Sequence, residues 1–279
     1  MKKLIIFLSV ILITDSRGQS NILNANTPEE IGIQNFDQVQ SNQDSFFEYD
    51  FIDDRDILWS RVVYEKIDLN ERINFPLLYP VNDETYKNNR KSLWRVLKEN
   101  IINKNINKLY FNRNDNFKDP MTYKDVMEVV SFSEKINGVI TEPEVLESID
   151  ISGYRIKGMW YFDKRHGEMR YRLLGIMPIG KNIKDDNGKN NTDLFWIWYP
   201  SIREILHKEL VFNDKNNANR ISFDQLLSTR RFSSYIYKVD NLYGDRAIKE
   251  YKKPGLESII ESQRIKKEIR DFEQDMWNR

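Results

Sequence analysis

The sequence predicts an α+β fold in which an antiparallel meander of about four strands is packed against helices. Three runs rich in β-branched and aromatic residues lie between Ile151 and Tyr199, and turn-forming residues separate them, which is typical of antiparallel strands. A fourth run, Ser233–Asp240, shows the two-residue alternation of another strand. In most of the remaining segments, apolar residues recur at helical spacing.

Helices are predicted to precede the meander. The apolar residues of segment 56–69 approximate a helical stripe, and Asp53 or Asp54 is placed to cap its N-terminus. Pro76 and Pro80 prevent this helix from continuing, and Thr122 is the predicted N-cap of a later one. The predicted elements of this part are helices over Asp56–Leu69, Lys91–Ile102, Tyr123–Ser131 and Glu142–Ser148 and a short strand over Leu109–Phe111.

The meander itself contains one recognisable hairpin. Its first two runs are joined by Lys164–Glu168, where Gly167 is free to adopt a positive φ. The third run, Leu194–Tyr199, is apolar on both faces, so it is predicted to lie at the centre of the sheet. Pro200 ends this run.

Helices also follow the meander. Ser201 and Ser222 are predicted N-caps, and Gln225 completes a capping box with Ser222. The polar tracts 181–193 and 213–220 are predicted loops. The predicted helices of this part are Ile202–Leu210, Arg220–Arg231 and Leu256–Trp277.

The N-terminus has the pattern of an export signal. Lys2 and Lys3 precede a ten-residue apolar run, and Ser16-Arg17-Gly18 provides a small-residue cleavage site before Gln19. The run is too short to span a bilayer comfortably. The predicted organisation is therefore a signal peptide over residues 1–18, an acidic flexible arm over 19–53, a mainly helical part over 54–150, an antiparallel α+β core over 151–245 and a C-terminal amphipathic helix over 246–279.

The arm combines negative charge with aromatic residues. Residues 19–54 contain eight acidic residues and no Lys or Arg, so the rest of the exported chain has an excess of basic residues. A disordered spacer does not require aromatic residues, whereas exposed aromatic clusters mark contact sites. We therefore predict that the arm docks on a partner, with Arg230 and Arg231 as candidates for the receiving basic patch. The predicted contact residues of the arm are Phe46, Phe47, Glu48, Tyr49, Asp50 and Phe51.

The sequence contains few residues suited to catalysis. It has no cysteine, which excludes disulfides and thiolate metal sites, and its two histidines, His166 and His207, are far apart in sequence. No zinc-protease, nucleophile-elbow or phosphate-loop motif is present. The formal net charge of zero gives no support for nucleic-acid binding. We predict no catalytic residue, no metal and no cofactor.

A second interpretation stays open, in which the protein is an exported carbohydrate-active or glycan-binding protein. Trp160, Trp196 and Trp198 lie on predicted strands, and tryptophan rings can stack on sugars. Tryptophans on strands with apolar faces are more often core residues, and we predict that role for all three.

Four segments of the sequence carry a resemblance to a known family. The segments are Ile57–Pro80 (ILWSRVVYEKIDLNERINFPLLYP), Tyr154–Ile179 (YRIKGMWYFDKRHGEMRYRLLGIMPI), Leu194–Leu206 (LFWIWYPSIREIL) and Ile221–Tyr243 (ISFDQLLSTRRFSSYIYKVDNLY). In this order they resemble the gliding-motility N proteins, also called PorN, of the Bacteroidetes type IX secretion system. From the first segment to the last, the match spans about two-thirds of the chain.

The resemblance implies a non-enzymatic component of the protein secretion and gliding machinery, located in the periplasm at the inner face of the outer membrane. Such proteins assemble as a homo-oligomeric ring together with the outer-membrane lipoprotein of the same system, the gliding-motility K type. The resemblance also implies contact with the periplasmic region of the motor subunit, the gliding-motility M type. No nucleic-acid partner is implied.

Overall fold

The sheet predicted from the meander is the centre of the fold, and it has seven strands rather than about four. The computed structural model describes residues 46–82, 90–132, 135–136, 139–140, 144–182, 190–212, 221–242 and 244–277. The predicted signal peptide and most of the predicted arm lie outside the described residues. The strands are β1 (Ile57–Asp68), β2 (Leu109–Phe111), β3 (Ser131–Phe132), β4 (Lys135–Ile136), β5 (Val139–Ile140), β6 (Glu144–Val145), β7 (Ile151–Asp163), β8 (Glu168–Lys181), β9 (Asn191–Asp193), β10 (Phe195–Trp198) and β11 (Tyr235–Val239).

The main sheet is antiparallel and has the strand order β11-β1-β7-β8-β10-β2, with β9 paired to β8. Its longest pair is the β7–β8 hairpin, whose turn contains Gly167 at a φ of 67°. The hairpin predicted around this glycine is therefore confirmed. Two separate two-stranded sheets are formed by β3 with β6 and by β4 with β5.

The helix predicted over Asp56–Leu69 is wrong, because this segment forms the long strand β1. The apolar and polar residues of β1 do not alternate cleanly, for two reasons. Its register shifts beside Leu58 and again between Tyr64 and Glu65. In addition, Glu65 is buried, where its carboxylate pairs with an arginine distant in sequence. Because Glu65 is a charged residue on the buried face, the sequence of β1 lacks the alternation of apolar and polar residues on which a strand prediction depends.

The run Leu194–Tyr199 does contain a strand, but the prediction that it lies at the centre of the sheet is wrong. Strand β10 lies between β8 and the edge strand β2. Its side chains are covered on both faces nonetheless. Phe195 and Ile197 point into the main core, and the ring of Trp196 lies against Phe117 of a covering loop.

The described helices are α1 (Phe75–Leu78), α2 (Leu93–Ile102), α3 (Tyr123–Val130), α4 (Arg203–Lys208), α5 (Phe223–Ser228) and α6 (Leu256–Trp277). The predicted caps of α3 and α5 are confirmed, since Thr122 and Ser222 each accept the backbone N–H three residues on. The helix predicted over Glu142–Ser148 is wrong where it is described, because β6 and a short 3-10 turn occupy this part. Ser201 does not cap α4, since its hydroxyl donates to the carbonyl of Trp198.

Two apolar clusters hold the layers together. The larger one joins the sheet to α2, α3, α4 and α5, and it contains Trp94, whose indole N–H donates to the Leu146 carbonyl at 2.8 Å. The smaller one joins β1 and β11 to α6 through Ile265 and Ile269. In the described part of the chain, no helix has the length and apolar character needed to cross a membrane.

Candidate interaction surfaces

Residues 46–52, which we call the strap, lie beside the part of β8 that does not pair with β10. The Tyr49 hydroxyl donates to the Leu173 carbonyl at 3.2 Å, and Nη2 of Arg172 donates to the Asp50 carbonyl at 2.7 Å. Farther along, the Asp56 carboxylate pairs with Arg165 at 2.7 Å. The contacts with β8 are thus made by side chains, the phenol of Tyr49 and the guanidinium of Arg172.

A buried arginine forms the seat of the strap. The guanidinium of Arg203 lies 4.1 Å from the ring centroid of Tyr49 and 5.3 Å from that of Phe46. Below these rings, Nε of Arg203 pairs with the Asp224 carboxylate at 2.9 Å, and the Tyr199 hydroxyl donates to the same carboxylate at 2.8 Å. The Asp224 carboxylate thus balances the charge of Arg203 and accepts its hydrogen bond, while the rings of Tyr49 and Phe46 lie against the guanidinium.

The seat changes the acidity of Tyr49. Burial raises the pKa of the Tyr49 phenol to about 12, although the nearby positive charge of Arg203 acts to lower it. Because the folded pKa exceeds the ordinary value of about 10, the seat favours the neutral phenol. Its stabilising contribution is complete below pH 10 and is lost as the pH rises towards 12.

We expect the absorbance difference between the wild-type protein and the Tyr49→Phe variant to show almost no tyrosinate at pH 10. A phenol held in the seat loses its proton about two pH units above an unperturbed one. The measurement is a spectrophotometric pH titration of both proteins at matched concentration. Half-ionisation of Tyr49 at pH 10 would show that the strap is not seated.

The other two aromatic residues of the strap face solvent. Phe47 and Phe51 are 88% and 89% exposed, and both flank the seated Tyr49. The carboxylate of Asp50 is also exposed, within 3.4 Å of Arg170. Of the four aromatic residues in the predicted contact segment, Phe46 and Tyr49 therefore pack against the same chain, and Phe47 and Phe51 are exposed to solvent. The role of this segment in binding a partner stays a prediction.

The two arginines predicted to receive the arm have different surroundings. Nη2 of Arg230 pairs with the buried Glu65 carboxylate at 2.7 Å, and its guanidinium lies 4.2 Å from the ring centroid of Tyr171. Arg231 is exposed. The structure brings neither arginine to the strap and places Arg170, Arg172 and Arg203 there instead. A signal for two of these was present in the sequence, since Arg170 and Arg172 alternate on one face of a predicted strand.

A cleft of about 890 Å³ opens on the face of the sheet that carries Arg155, Met177 and Trp196. Its lining contains as many basic as acidic side chains, and two ion pairs lie within it: Arg155 with Asp193 at 2.9 Å, and Lys238 with Asp115 at 2.7 Å. Burial acts to raise the pKa of Asp115, but the adjacent Lys238 and Lys157 hold it below its usual range. The cleft therefore shows no excess of one charge that would select an ionic ligand.

The two histidines lie in different parts of the fold. His166 pairs with the Asp163 carboxylate at 2.7 Å in the β7–β8 turn, and His207 lies on α4 with its ring centroid 6.4 Å from that of Phe46. Among the described residues, no three histidine, aspartate or glutamate side chains are placed to hold a metal ion.

The three tryptophans that were candidates for a sugar platform pack against other side chains. Trp196 is only 2% exposed. Trp198 meets the Phe117 ring edge-on with centroids 4.9 Å apart, and Trp160 lies 5.1 Å from the Tyr171 centroid. The predicted core role is therefore confirmed for Trp196, whereas Trp160 and Trp198 are only half-buried.

A family model described as "GldN: Gliding motility associated protein GldN" matches residues 52–278. The match covers most of the chain, including every strand of the main sheet and all six described helices. It begins inside the strap, so the exposed Phe47 and the seated Tyr49 lie before it. A search of the curated proteins finds no match.

Proposed function

We propose a specific role for this chain within the type IX secretion and gliding machinery. The chain belongs to the GldN family of gliding-motility-associated proteins and is therefore a component of that machinery. In this role the exported protein lies in the periplasm and forms a ring with the outer-membrane lipoprotein of the same system. It also contacts the periplasmic region of the motor subunit. The family match over residues 52–278 is the observation that carries the proposal.

The proposed role is structural rather than catalytic. The family is a structural gliding-motility component and is not a known enzyme family. Buried charges in the described residues are used in internal pairs such as Arg203–Asp224 and Glu65–Arg230, which fix the packing of loops and strands. Rigid subunits with exposed apolar side chains at their margins suit an assembly of many copies.

The strap is proposed to take part in assembly. Phe47 and Phe51 offer two large apolar rings to a neighbour while Phe46 and Tyr49 hold the segment against its own chain. The acidic side chains of Glu48 and Asp50 remain exposed and would steer a basic surface towards these rings. Arg231 of a neighbouring molecule is retained as a candidate for that surface.

We expect deletion of the gene to abolish secretion of proteins that carry the C-terminal sorting domain of this system. Secretion should return when the full chain is expressed from a plasmid, and the purified protein should hydrolyse no glycan or peptide substrate. The measurement is the amount of sorting-domain proteins in the medium and on the cell surface. Normal secretion in the deletion strain would refute the assignment to this machinery.

A further inference from the structure

Ile73, Phe75 and Tyr79, which follow β1 in the chain, form an apolar patch that we call the end patch. Ile73 is 58% exposed, and the rings of Phe75 and Tyr79 are also exposed and meet edge-on with their centroids 5.3 Å apart. Apolar side chains that lie together in solvent in this way mark contact sites. The end patch is therefore a second candidate interaction surface besides the strap.

A buried asparagine fixes the end patch to the body of the chain. The Asn74 amide nitrogen donates to the carbonyls of Asp68 at 2.7 Å and Ser233 at 3.0 Å, and the amide oxygen accepts the Ser233 N–H at 2.9 Å. Arg231 lies two residues before Ser233, a span of at most about 7 Å. The same hydrogen bonds thus hold the exposed Arg231 beside the end patch, and the surface is ordered before a partner binds.

The charges of the two surfaces are complementary. Arg72 and Arg231 are exposed at the end patch, beside one acidic residue, Glu71. Neither arginine has an ion-pair partner within the part of the chain that the structure describes. On the strap the signs are reversed, because Glu48 and Asp50 are exposed there between the two exposed phenylalanines. Opposite charges around apolar centres steer two surfaces towards each other.

The strap and the end patch lie at opposite ends of the main sheet. Phe51 lines a small pocket with Asp163, the last residue of β7. Asn74 of the end patch bonds to Asp68, which pairs with Gly153 near the start of β7. The ten strand residues from Gly153 to Asp163 span about 33 Å. A strap that is seated on its own chain therefore meets an end patch only in another molecule.

We infer that the strap of one molecule binds the end patch of a second copy of this chain. The exposed rings of Phe47 and Phe51 cover the apolar side chains of the patch, and Glu48 faces its arginines. The contact is heterologous, because two different surfaces meet, and repeating it joins subunits head to tail until a ring closes. The inference rests on the proposed ring and names the two surfaces that build it.

Cross-linking of the full chain in intact cell envelopes tests this contact. The sequence has no cysteine, so a short bismaleimide joins only introduced thiols. A strain carrying Phe51→Cys with Ile73→Cys should give a ladder of dimers, trimers and larger species, because the two thiols of one chain lie too far apart to be joined. The matched control is Phe51→Cys with Tyr123→Cys, which places the second thiol at an exposed aromatic position of α3. This control should give no ladder.

Reversal of charges in the same Phe51→Cys/Ile73→Cys strain tests the chemistry of the contact. Glu48→Arg or Arg231→Glu alone should weaken the ladder about twofold to fivefold, which is the effect of losing one exposed ion pair. The two reversals together restore opposite charges across the contact, so the ladder should recover. A ladder that neither reversal weakens, or that the combination does not recover, would overturn the inference.

Three further outcomes would also overturn it. They are the absence of a ladder from the predicted pair, an equal ladder from the control pair, and dimers from Phe51→Cys or Ile73→Cys alone, which would indicate a twofold contact between like surfaces. Co-purification with the outer-membrane lipoprotein is measured in the same strains. If the lipoprotein still co-purifies while no ladder forms, the inferred contact is wrong and the proposed function stands. If the lipoprotein is absent as well, the proposed function fails too.

Discussion

Replacing Trp196 by alanine is expected to lower the free energy of unfolding by about 3–5 kcal/mol. The side chain is 2% exposed, and its ring lies 5.9 Å from the ring of Phe117, which covers this face of β10. The backbone beneath is closely packed, since an added Cβ at Gly175 would overlap the Phe117 ring. Truncation therefore leaves a cavity that neighbouring groups cannot fill by a small shift.

Urea denaturation followed by far-UV circular dichroism measures this loss. The matched control is Phe47→Ala, which also removes a large aromatic ring but at a position that is 88% exposed. We expect the control to change the free energy of unfolding by less than about 0.5 kcal/mol in the isolated protein. A Trp196→Ala variant of wild-type stability that has lost binding to a glycan would favour the glycan-binding interpretation.

Replacing Asp224 by alanine is expected to destabilise the protein by about 3–5 kcal/mol, because the buried Arg203 guanidinium loses its counter-charge. Both side chains of this pair are 6% exposed. The Tyr199 hydroxyl also loses its acceptor at 2.8 Å. The strap is affected as well, since Tyr49 and Phe46 stack on the same guanidinium.

A double variant separates the strength of the pair from the penalty of leaving one charge alone. In Arg203→Met/Asp224→Leu no buried charge remains, so more than half of the stability lost in Asp224→Ala should return. The free energies of unfolding of the wild type, Arg203→Met, Asp224→Leu and the double variant form a complete cycle. Additive losses in the double variant would contradict a coupled buried pair.

The parts of the fold that follow local rules were predictable from the sequence. The β7–β8 hairpin has a turn glycine, α3 and α5 have N-cap residues, and α6 was predicted with its observed bounds, Leu256–Trp277. In each case, residues close in sequence specify the element. The α+β class followed from these elements, and the antiparallel sheet was correct in kind.

The parts of the sheet that depend on distant partners were not predictable. Strand β1 was interpreted as a helix because Arg61 and Glu65 interrupt its apolar face, and their partners are Glu268 and Arg230, far along the chain. Strand β9 has three polar residues within a tract predicted as a loop, and only its pairing with β8 makes it a strand. Strand β2 was predicted with its observed bounds, Leu109–Phe111, but not as a member of the main sheet. With β1 and β9 it accounts for the difference between about four strands and seven.

The partner-binding role of Phe46–Phe51 stays a prediction. In the structure this segment meets Arg170, Arg172 and Arg203 of its own chain, which were not the arginines predicted for it. Sequence alone does not show that Arg203 is fixed by Asp224 beneath the strap, or that Arg230 is occupied by Glu65. Which arginine meets which aromatic ring depends on the packing of α4 and α5, and this packing is set by tertiary contacts.

Affinity purification of the tagged full chain from detergent-solubilised envelopes tests the central claim most directly. The account predicts that the outer-membrane lipoprotein of the type IX system and the periplasmic motor subunit co-purify with it, and that electron microscopy of the eluate shows closed rings. Recovery of the chain alone as a monomer, from envelopes in which the lipoprotein is present, would contradict the account.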